Sequence, residues 1–254
     1  MPTSQSILIT GAGSGIGRGV ALYLARAGYR IIATDLSLEA AQSTVDAMIE
    51  VGGQGSAYAM DVTSEAATQA VFDSEDDIHG VINNAGIQHI DPIEDFPKDK
   101  WEALIKILLV GPAIATGIAV KYMREKGYGR IINIGSIHGL VASPYKSAYI
   151  SAKHGLLGLS KTVALETADT DITINTVCPA YVKTPLVEKQ IADQARTRGL
   201  TEDQVVNEVM LKPMPKKAFI SFEELGGTCE YLLSPSAKNM TGQTLVLDGG
   251  WTCT

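Results

Sequence analysis

The stretch from residue 6 to residue 35 constrains the fold more than any other part of the sequence. Residues 6–10 (SILIT) form a short apolar run typical of a buried strand, and the turn GAGSGIG follows at 11–17. A helix is predicted from that turn to about Ala27, where Gly28 ends it. Residues 31–34 predict a second strand, which ends at Asp35. This order of elements is typical of the first unit of a dinucleotide-binding α/β fold.

The glycine-rich turn and the acid that follows it are candidates for binding a dinucleotide. Glycines let the backbone approach a pyrophosphate, which rests on the N-terminus of the following helix. Asp35 stands 18 residues past Gly17, where a carboxylate can bind the adenosine ribose hydroxyls and would repel a 2′-phosphate. Neither Ser14 nor Leu36 is basic, so NAD is favoured over NADP, although Arg18 could reach a phosphate. An ordinary tight turn is the alternative interpretation of the glycines.

Two further strand ends carry candidate cofactor contacts. A third strand is predicted at 56–60, and Asp61-Val62 after it can meet an adenine. The fourth strand, at 80–83, ends in the sequence NNAG at 83–86, whose amides can lock the strand end and line a cofactor crevice. Asp61 could equally cap a helix, and the amides also suit a simple turn.

The segment from Gly129 to Gly155 contains the candidate catalytic groups. A β-branched run at 131–134 predicts a strand, and Ser136 follows its carboxyl end. Tyr149 and Lys153 lie four residues apart on a predicted helix and therefore share one face. A phenol titrates near pH ~10 in water, and an ammonium one turn away is expected to lower its pKa. The pair Tyr122 and Lys126 has the same spacing but lacks an upstream serine, so a surface pair is predicted there.

Composition excludes several classes of protein. The 254 residues are 45% hydrophobic and carry a net charge of −7, which favours a globular domain and argues against a nucleic-acid-binding face. The cysteines (178, 229 and 253) are odd in number and widely spaced, which predicts a reducing, cytoplasmic location without disulfides or a metal site. No signal peptide is evident. The uncharged apolar run 107–120 is too short to span a membrane, so a buried or subunit-interface helix is expected.

The remaining elements follow from local patterns. Helices are predicted to about 51, capped by Ser37, and at 64–72, 98–109 and 222–233. Pro112 should interrupt the third of these helices unless a new helix begins there and runs to Lys126. Strands are predicted at 172–177 and 244–247. The polar segment 181–217 predicts a helical substrate lid at about 185–215.

Taken together, these motifs resemble the short-chain dehydrogenase/reductase family. The matching elements, in order along the chain, are TGxxxGxG at 10–17, NNAG at 83–86, Ser136, Tyr149 with Lys153, and the stretch 179–184. The resemblance spans essentially the whole chain. It implies a single-domain Rossmann fold, a doubly wound seven-stranded parallel sheet with helices on both faces, in a protein that is usually a homotetramer. It also implies NAD-dependent oxidoreductase activity, with Ser136, Tyr149 and Lys153 as catalytic residues. The cofactor-binding residues that it implies are Gly11, Ser14, Gly15, Ile16, Gly17, Asp35, Asp61, Val62, Asn83, Ala85, Gly86, Tyr149, Lys153, Pro179, Val182 and Thr184.

Within that family, a narrower resemblance is to the bacterial D-3-hydroxybutyrate dehydrogenases. It is visible in NNAGIQH at 83–89, SIHGLVAS at 136–143, TPLVEKQI at 184–191 and DGGWT at 248–252. The resemblance implies reversible oxidation of (R)-3-hydroxybutyrate to acetoacetate with NAD. Ser136 and Tyr149 would bind the reacting oxygen, and the substrate carboxylate would be held by Gln88, His138, Lys146 and Gln190, with Trp251 nearby. Each of these residues taken alone also suits an ordinary loop, surface or core position.

The sequence departs from the family pattern at two informative positions. Leu108 stands where the family places an asparagine that completes a catalytic tetrad and its proton relay, which implies slower turnover or another proton route. Ala180 replaces a motif glycine. The alternatives are therefore a short-chain dehydrogenase for another hydroxy acid or a 3-oxoacyl thioester, and a non-catalytic NAD-binding sensor.

Overall fold

A computed structural model describes residues 5–253, without the side chains at 186, 193, 197 and 198. Seven strands form one parallel sheet in the order β3-β2-β1-β4-β5-β6-β7. The predicted fold class is therefore confirmed. The strands are β1 Ser6–Thr10, β2 Arg30–Asp35, β3 Gln54–Ala59, β4 Gly80–Asn83, β5 Tyr128–Ile134, β6 Asp171–Pro179 and β7 Thr244–Leu247.

All strands are parallel, so each connection must bring the chain back to the end of the sheet where the strands begin. Helices make these connections, and they cover both faces of the sheet. The helices are α1 Gly15–Arg26, α2 Leu38–Glu50, α3 Glu65–Asp73, α4 Lys98–Ile105, α5 Gly111–Lys126, α6 Ser147–Glu166, α7 Pro185–Arg198, α8 Glu202–Gln204 and α9 Phe222–Leu233. Buried apolar residues of α1, α2 and α9 form one core cluster, and those of α3, α5 and α6 form the other. Strand order reverses between β1 and β4, so a ligand crevice is expected at their carboxyl ends.

Local capping explains why several predicted boundaries agree with the structure. The Ser37 hydroxyl accepts a hydrogen bond from the backbone N–H of Ala40 and begins α2. Ser221 and Glu224 form a reciprocal capping box at the start of α9. Gly127, with φ +73°, ends α5 in the left-handed conformation that glycine adopts without strain.

The helix that contains Pro112 differs from the prediction of an interruption. The chain continues from α4 into α5 through a π-turn, Lys106–Val110, in which the N–H of Gly111 bonds to the carbonyl of Lys106. Pro112 is accommodated because it lies in the first turn of α5, as the alternative prediction allowed. The continuous helical stretch Lys98–Lys126 is 29 residues long, and its most apolar window has a mean hydropathy of 2.1 with 39% of it buried. By length and composition alone it could cross a membrane, a test that core helices of soluble proteins also pass.

The segment after β6 is helical, as predicted, and has a small core of its own. It comprises α7, α8 and a π-turn, Val205–Met210, with Ile191 among the buried residues of its cluster. Its two ends lie side by side, because Val182 and Ile220 form an isolated parallel bridge. The segment also packs on the sheet domain, because Leu211 and Met214 belong to the core cluster of α1, α2 and α9.

Candidate active site

Two adjoining cavities open at the carboxyl ends of the central strands. The larger, a crevice of about 620 Å³, runs beside the glycine-rich turn, and the smaller pocket is about 140 Å³. Tyr149, Gln88 and Thr184 line both, so they form the wall where the cavities meet. This position is the crevice expected from the strand order.

Ser136, Tyr149 and Lys153 are brought together beside this wall. Ser136 follows β5, while Tyr149 and Lys153 lie on the facing side of α6. The Lys153 Nζ donates a 2.7 Å hydrogen bond to the carbonyl of Ile134 and lies 5.7 Å from the centre of the Tyr149 ring. The Ser136 hydroxyl accepts a hydrogen bond from the backbone N–H of His138 at 3.1 Å. The three groups thus surround one point at the end of β5.

Burial shifts the pKa values of both Tyr149 and Lys153. Burial raises the pKa of the Tyr149 phenol above its usual value, and the hydrogen bond with Ser136 opposes that rise. Burial also lowers the pKa of Lys153 to about 8. Lys153 is not among the groups that shift the pKa of Tyr149 in this structure, so the expectation that it lowers this pKa stays a prediction.

The second tyrosine and lysine pair lies elsewhere. Tyr122 donates a hydrogen bond to the carbonyl of Asp76, and the exposed Lys126 donates to the same oxygen at 3.2 Å. Neither residue lines a cavity near Tyr149. This arrangement agrees with the prediction of a surface pair.

The crevice contains most of the residues predicted to bind a dinucleotide. Those that line it are Gly11, Ser14, Gly15, Ile16, Asp35, Asp61, Val62, Ala85, Gly86, Tyr149, Lys153 and Thr184. The Asp35 carboxylate accepts hydrogen bonds from the N–H groups of Gly13 at 3.0 Å and Ser37 at 3.3 Å, which fixes it at the end of β2. The Ser14 side chain makes no capping bond to α1, so it does not occupy the first N–H groups of this helix. The residues present therefore fit a pyrophosphate and a ribose.

Four predicted cofactor residues, Gly17, Asn83, Pro179 and Val182, do not line the crevice. Gly17 packs on the turn itself, where an added Cβ would lie 2.3 Å from the carbonyl oxygen of Gly11. The amide of Asn83 is buried and donates to Asn133 at 2.8 Å and Thr116 at 3.3 Å. Its neighbour Asn84 lines the crevice instead and bonds to the carbonyls of residues 10 and 11. Which of the two adjacent amides enters the crevice depends on the direction of each side chain at the end of β4. The alternation of side chains along a four-residue strand was too weak a signal to predict it.

The buried amide of Asn83 begins a polar chain behind the site. The Asn133 amide donates to Ser160 at 2.9 Å, and the Ser160 hydroxyl bonds to Thr176 at 2.8 Å. These residues come from β4, β5, α6 and β6. These hydrogen bonds fix the position of α6, which carries Tyr149, relative to the strands. Moving α6 would leave buried polar groups without partners, which lowers the stability of the fold.

The smaller pocket contains the residues implied to hold a carboxylate. Its lining includes Gln88, His138, Lys146 and Gln190, together with Ser136 and Tyr149. Pro179 and Val182, which were predicted to contact cofactor, line this pocket and not the larger crevice. Burial and the Lys146 cation lower the pKa of His138 to about 4, so its ring is neutral at pH 7. Burial also lowers the pKa of Lys146.

The tryptophan predicted near the substrate lies behind the pocket wall. Trp251 does not line the pocket but stacks on Tyr181, with ring centres 6.1 Å apart, and meets His138 edge-on at 6.0 Å. Tyr181, which was not among the predicted site residues, does line the pocket. The sequence offered only a weak indication of this role, namely an aromatic residue two positions after Pro179, which ends β6. Trp251 therefore supports two pocket residues from outside.

Leu108 lies in the π-turn and is 1% exposed. Its Cδ2 would be 2.9 Å from a Cβ added at Gly86, and its apolar neighbours include Ala148 and Ala152 on α6. The leucine thus fills the space between the π-turn, the crevice and the helix that carries Tyr149. Its side chain offers no polar atom there.

Comparison with known proteins places this arrangement in a family. The short chain dehydrogenase family pattern matches residues 5–195. The chain belongs to the short-chain dehydrogenase family. It is 46% identical over 257 aligned residues to the D-beta-hydroxybutyrate dehydrogenase of Rhizobium meliloti (strain 1021), covering 98% of this chain and 99% of that protein. It is 39% identical to the D-beta-hydroxybutyrate dehydrogenase of Cupriavidus necator, covering 99% of each chain.

Solved structures of other short-chain dehydrogenases share the fold along its length. NAD⁺-bound xylitol dehydrogenase superimposes with a TM-score of 0.91 at 30% identity, covering 98% of this chain and 99% of that one. A variant of actinorhodin polyketide ketoreductase with NADPH gives 0.92 at 29% identity, covering 99% of each. This short-chain dehydrogenase is thus an oxidoreductase that uses a nicotinamide dinucleotide on a small-molecule substrate. The choice between NAD and NADP depends on its own residues.

Proposed function

We propose that this short-chain dehydrogenase catalyses the reversible NAD-dependent oxidation of (R)-3-hydroxybutyrate to acetoacetate. The observation that carries the proposal is the small pocket beside Tyr149, whose polar lining includes Gln88, His138, Lys146 and Gln190. A volume of about 140 Å³ suits a four-carbon acid better than an acyl thioester. The two D-beta-hydroxybutyrate dehydrogenases among its relatives support the same substrate class.

In the proposed complex, the pocket orients the substrate through its carboxylate. Lys146 supplies a cation, and Gln88 and Gln190 supply amide donors from two separate parts of the chain, the loop after β4 and α7. A protein with a net charge of −7 needs such a local set of donors to attract an anion. Fixing the carboxylate fixes the position of C3 relative to Tyr149.

Tyr149 is the proposed proton acceptor, and Ser136 holds the reacting oxygen. NAD, held by the residues of the larger crevice, would supply the acceptor for the hydride from C3. Tyr149 takes the hydroxyl proton, while Lys153 holds positive charge beside it and binds the nicotinamide ribose. Because burial raises the pKa of Tyr149, its basic form is scarce at neutral pH. Alcohol oxidation should therefore accelerate as the pH rises, and ketone reduction, which needs the neutral phenol, should be favoured at lower pH.

We propose a preference for NAD because of the residues at the end of β2. The Asp35 carboxylate lies in the crevice where a ribose 2′-phosphate would meet it, and Leu36 beside it is exposed and apolar. Arg18, the one cation that the sequence analysis considered for a phosphate, directs its Nη1 to the Ser43 hydroxyl of α2 at 3.1 Å. A 2′-phosphate would thus be repelled by Asp35 without a cation placed to compensate.

The segment 185–215 is proposed to act as a lid over the substrate. Val187 and Gln190 of α7 line the small pocket, and α7 begins directly after Thr184, which borders both cavities. The bridge between Val182 and Ile220 holds the two ends of the segment beside the small pocket, which Val182 lines. We also propose a cytoplasmic homotetramer, in line with three free cysteines and an apolar helical stretch, Lys98–Lys126, that is only partly covered.

The test is NADH formation, followed by absorbance, with purified protein, NAD and (R)-3-hydroxybutyrate. The (S)-enantiomer and NADP serve as controls. Rapid (R)-selective, NAD-dependent turnover is expected, and Tyr149→Phe should abolish it. Retention of near-normal turnover by Tyr149→Phe would refute the catalytic assignment.

Failure of the wild-type protein with this substrate would refute the substrate assignment. A panel of other hydroxy acids and 3-oxoacyl thioesters then distinguishes a different substrate from the remaining alternative. Binding of NAD without turnover of any of them would indicate a cofactor-binding sensor.

A further inference from the structure

The side chain of His138 lines the small pocket and also forms a hydrogen bond with Ser143, which does not line it. His138 lies in the turn Ile137–Gly139 after β5, is 4% exposed and lines the small pocket. Its Nε2 is 2.8 Å from the hydroxyl oxygen of Ser143. Its Nδ1 has no hydrogen-bond partner among residues 5–253. One ring nitrogen is thus held by Ser143, and the other has no hydrogen-bond partner in the part of the chain that the structure describes.

The ring of His138 has a single N–H at neutral pH, because burial and the Lys146 cation, which lower its pKa, keep it uncharged. Two tautomers are then possible, with the proton on Nε2 or on Nδ1. Tyr149, Trp251 and His154 also surround the ring, and none of them carries a negative charge that would attract a second proton. Among residues 5–253, the Ser143 hydroxyl is the group that hydrogen-bonds to this ring, and it can either donate to Nε2 or accept from it, so these contacts allow both tautomers.

We propose that the Ser143 hydroxyl donates to His138 Nε2 and thereby fixes the tautomer that carries its proton on Nδ1. Ser143 is then a positioning residue for anionic substrates, a role that rests on the proposed function. A carboxylate oxygen only accepts hydrogen bonds, so the Nδ1–H tautomer offers it a donor. The Nε2–H tautomer would offer it a lone pair instead, which repels.

The location of Ser143 suits this role. It lies five residues after His138 on the same loop, is half-buried, and does not line the pocket itself. Its removal should therefore leave the pocket lining and the Ser136, Tyr149 and Lys153 group in place. The expected effect is on substrate affinity and not on the proton transfer.

The first experiment reads the tautomer directly, without any substrate. The whole protein is labelled with ¹⁵N at histidine, and ring ¹⁵N shifts and couplings identify which nitrogen carries the proton. Only four histidines occur, and His138→Gln assigns the relevant signal by its loss. Wild type and Ser143→Thr, which keeps the hydroxyl, should show the proton on Nδ1, and Ser143→Ala should lose that preference. A wild-type signal from the Nε2–H tautomer overturns the proposal.

The second experiment separates substrate charge from pocket structure. With (R)-3-hydroxybutyrate, Ser143→Ala should raise KM about 10-fold or more, the scale of a weakened hydrogen bond to a charged group, with kcat nearly unchanged. Ser143→Thr should stay close to wild type. With the uncharged methyl ester of acetoacetate in the reverse direction, Ser143→Ala should match wild type. An equal rise in KM for the acid and the ester would refute the proposal, because it would indicate a general change in the pocket.

These two readouts distinguish the failure of this inference from the failure of the proposed function. If the protein turns over no 3-hydroxy acid, the proposed function fails while the ring ¹⁵N signals still report the tautomer. If turnover is normal and the tautomer is Nε2–H, only the role of Ser143 fails.

Discussion

At the scale of single residues, the buried Lys153 makes stability depend on pH. Folding lowers its pKa from 10.5 to about 8, so between these pH values the unfolded chain binds more protons and stability rises with pH. We expect wild type to gain up to about 3 kcal/mol relative to Lys153→Met as the pH rises from 7.5 to 10.5, because each tenfold difference in proton affinity is worth about 1.4 kcal/mol. Urea unfolding measures this difference. Lys161→Met, at an exposed position of the same helix, is the control, and an equal pH dependence in both variants would contradict the assignment.

We also expect cofactor choice to depend on two single residues, Asp35 and Leu36. Replacing Asp35 by Ser removes the carboxylate that opposes a 2′-phosphate, and Leu36→Arg adds a cation at a position that is 76% exposed. We expect the double variant to raise the ratio of kcat/KM for NADP over NAD at least 100-fold, measured at fixed substrate concentration. Leu36→Met alone should leave the ratio unchanged. A large shift in that control would mean that the side chain at 36, and not its charge, sets the preference.

At the scale of elements, α1 and α9 pack closely through glycine. A Cβ added at Gly226 of α9 would lie 2.2 Å from the Cγ of Tyr23 on α1, whose hydroxyl is held by Glu230 at 3.1 Å. Gly226→Ala should therefore destabilise the protein by about 1–3 kcal/mol, because the ring cannot move aside. Gly158→Ala, in α6 with nothing within 4 Å of its Cβ, should stabilise by about 0.5–1 kcal/mol. Thermal unfolding of both variants tests the contrast, and stabilisation by Gly226→Ala would contradict it.

Elements were predictable from sequence where a residue forces a boundary. The limits of β4, α9 and β7 agree with the structure because turn residues or a capping box bound them. The π-turn at Lys106–Val110 was not predictable, since periodicity does not distinguish five residues per hydrogen bond from four over one turn. In the site, spacing predicted that Tyr149 and Lys153 share a face, but the raised pKa of Tyr149 depends on its burial in the folded chain, which local sequence does not contain. The indirect position of Trp251 likewise depends on packing against Tyr181, which lies far earlier in the chain.

At the scale of the whole molecule, the stretch Lys98–Lys126 is an apolar helix that a single chain covers only in part. Its most apolar window is 39% buried and Val110 is 42% exposed, and apolar residues that one chain leaves partly uncovered often belong to an interface. A second copy of the chain is the expected cover, because most soluble oligomers are symmetric assemblies of identical chains. Gly117 lies on α5 with open space around its Cβ, where a partner helix could approach closely.

This interpretation predicts that the protein, purified without detergent, elutes as a homotetramer of about 108 kDa, four times the 26.9 kDa chain, in light scattering after gel filtration. Gly117→Arg should shift it to smaller species, because a charged side chain would then be forced into the apolar contact between copies. Lys121→Arg, a charge-conserving change at an exposed position on the same helix, is the control. A monomer at all concentrations would refute the assembly. A requirement for detergent would instead mean that a membrane covers this helix, in which case Gly117→Arg should weaken binding to lipid vesicles.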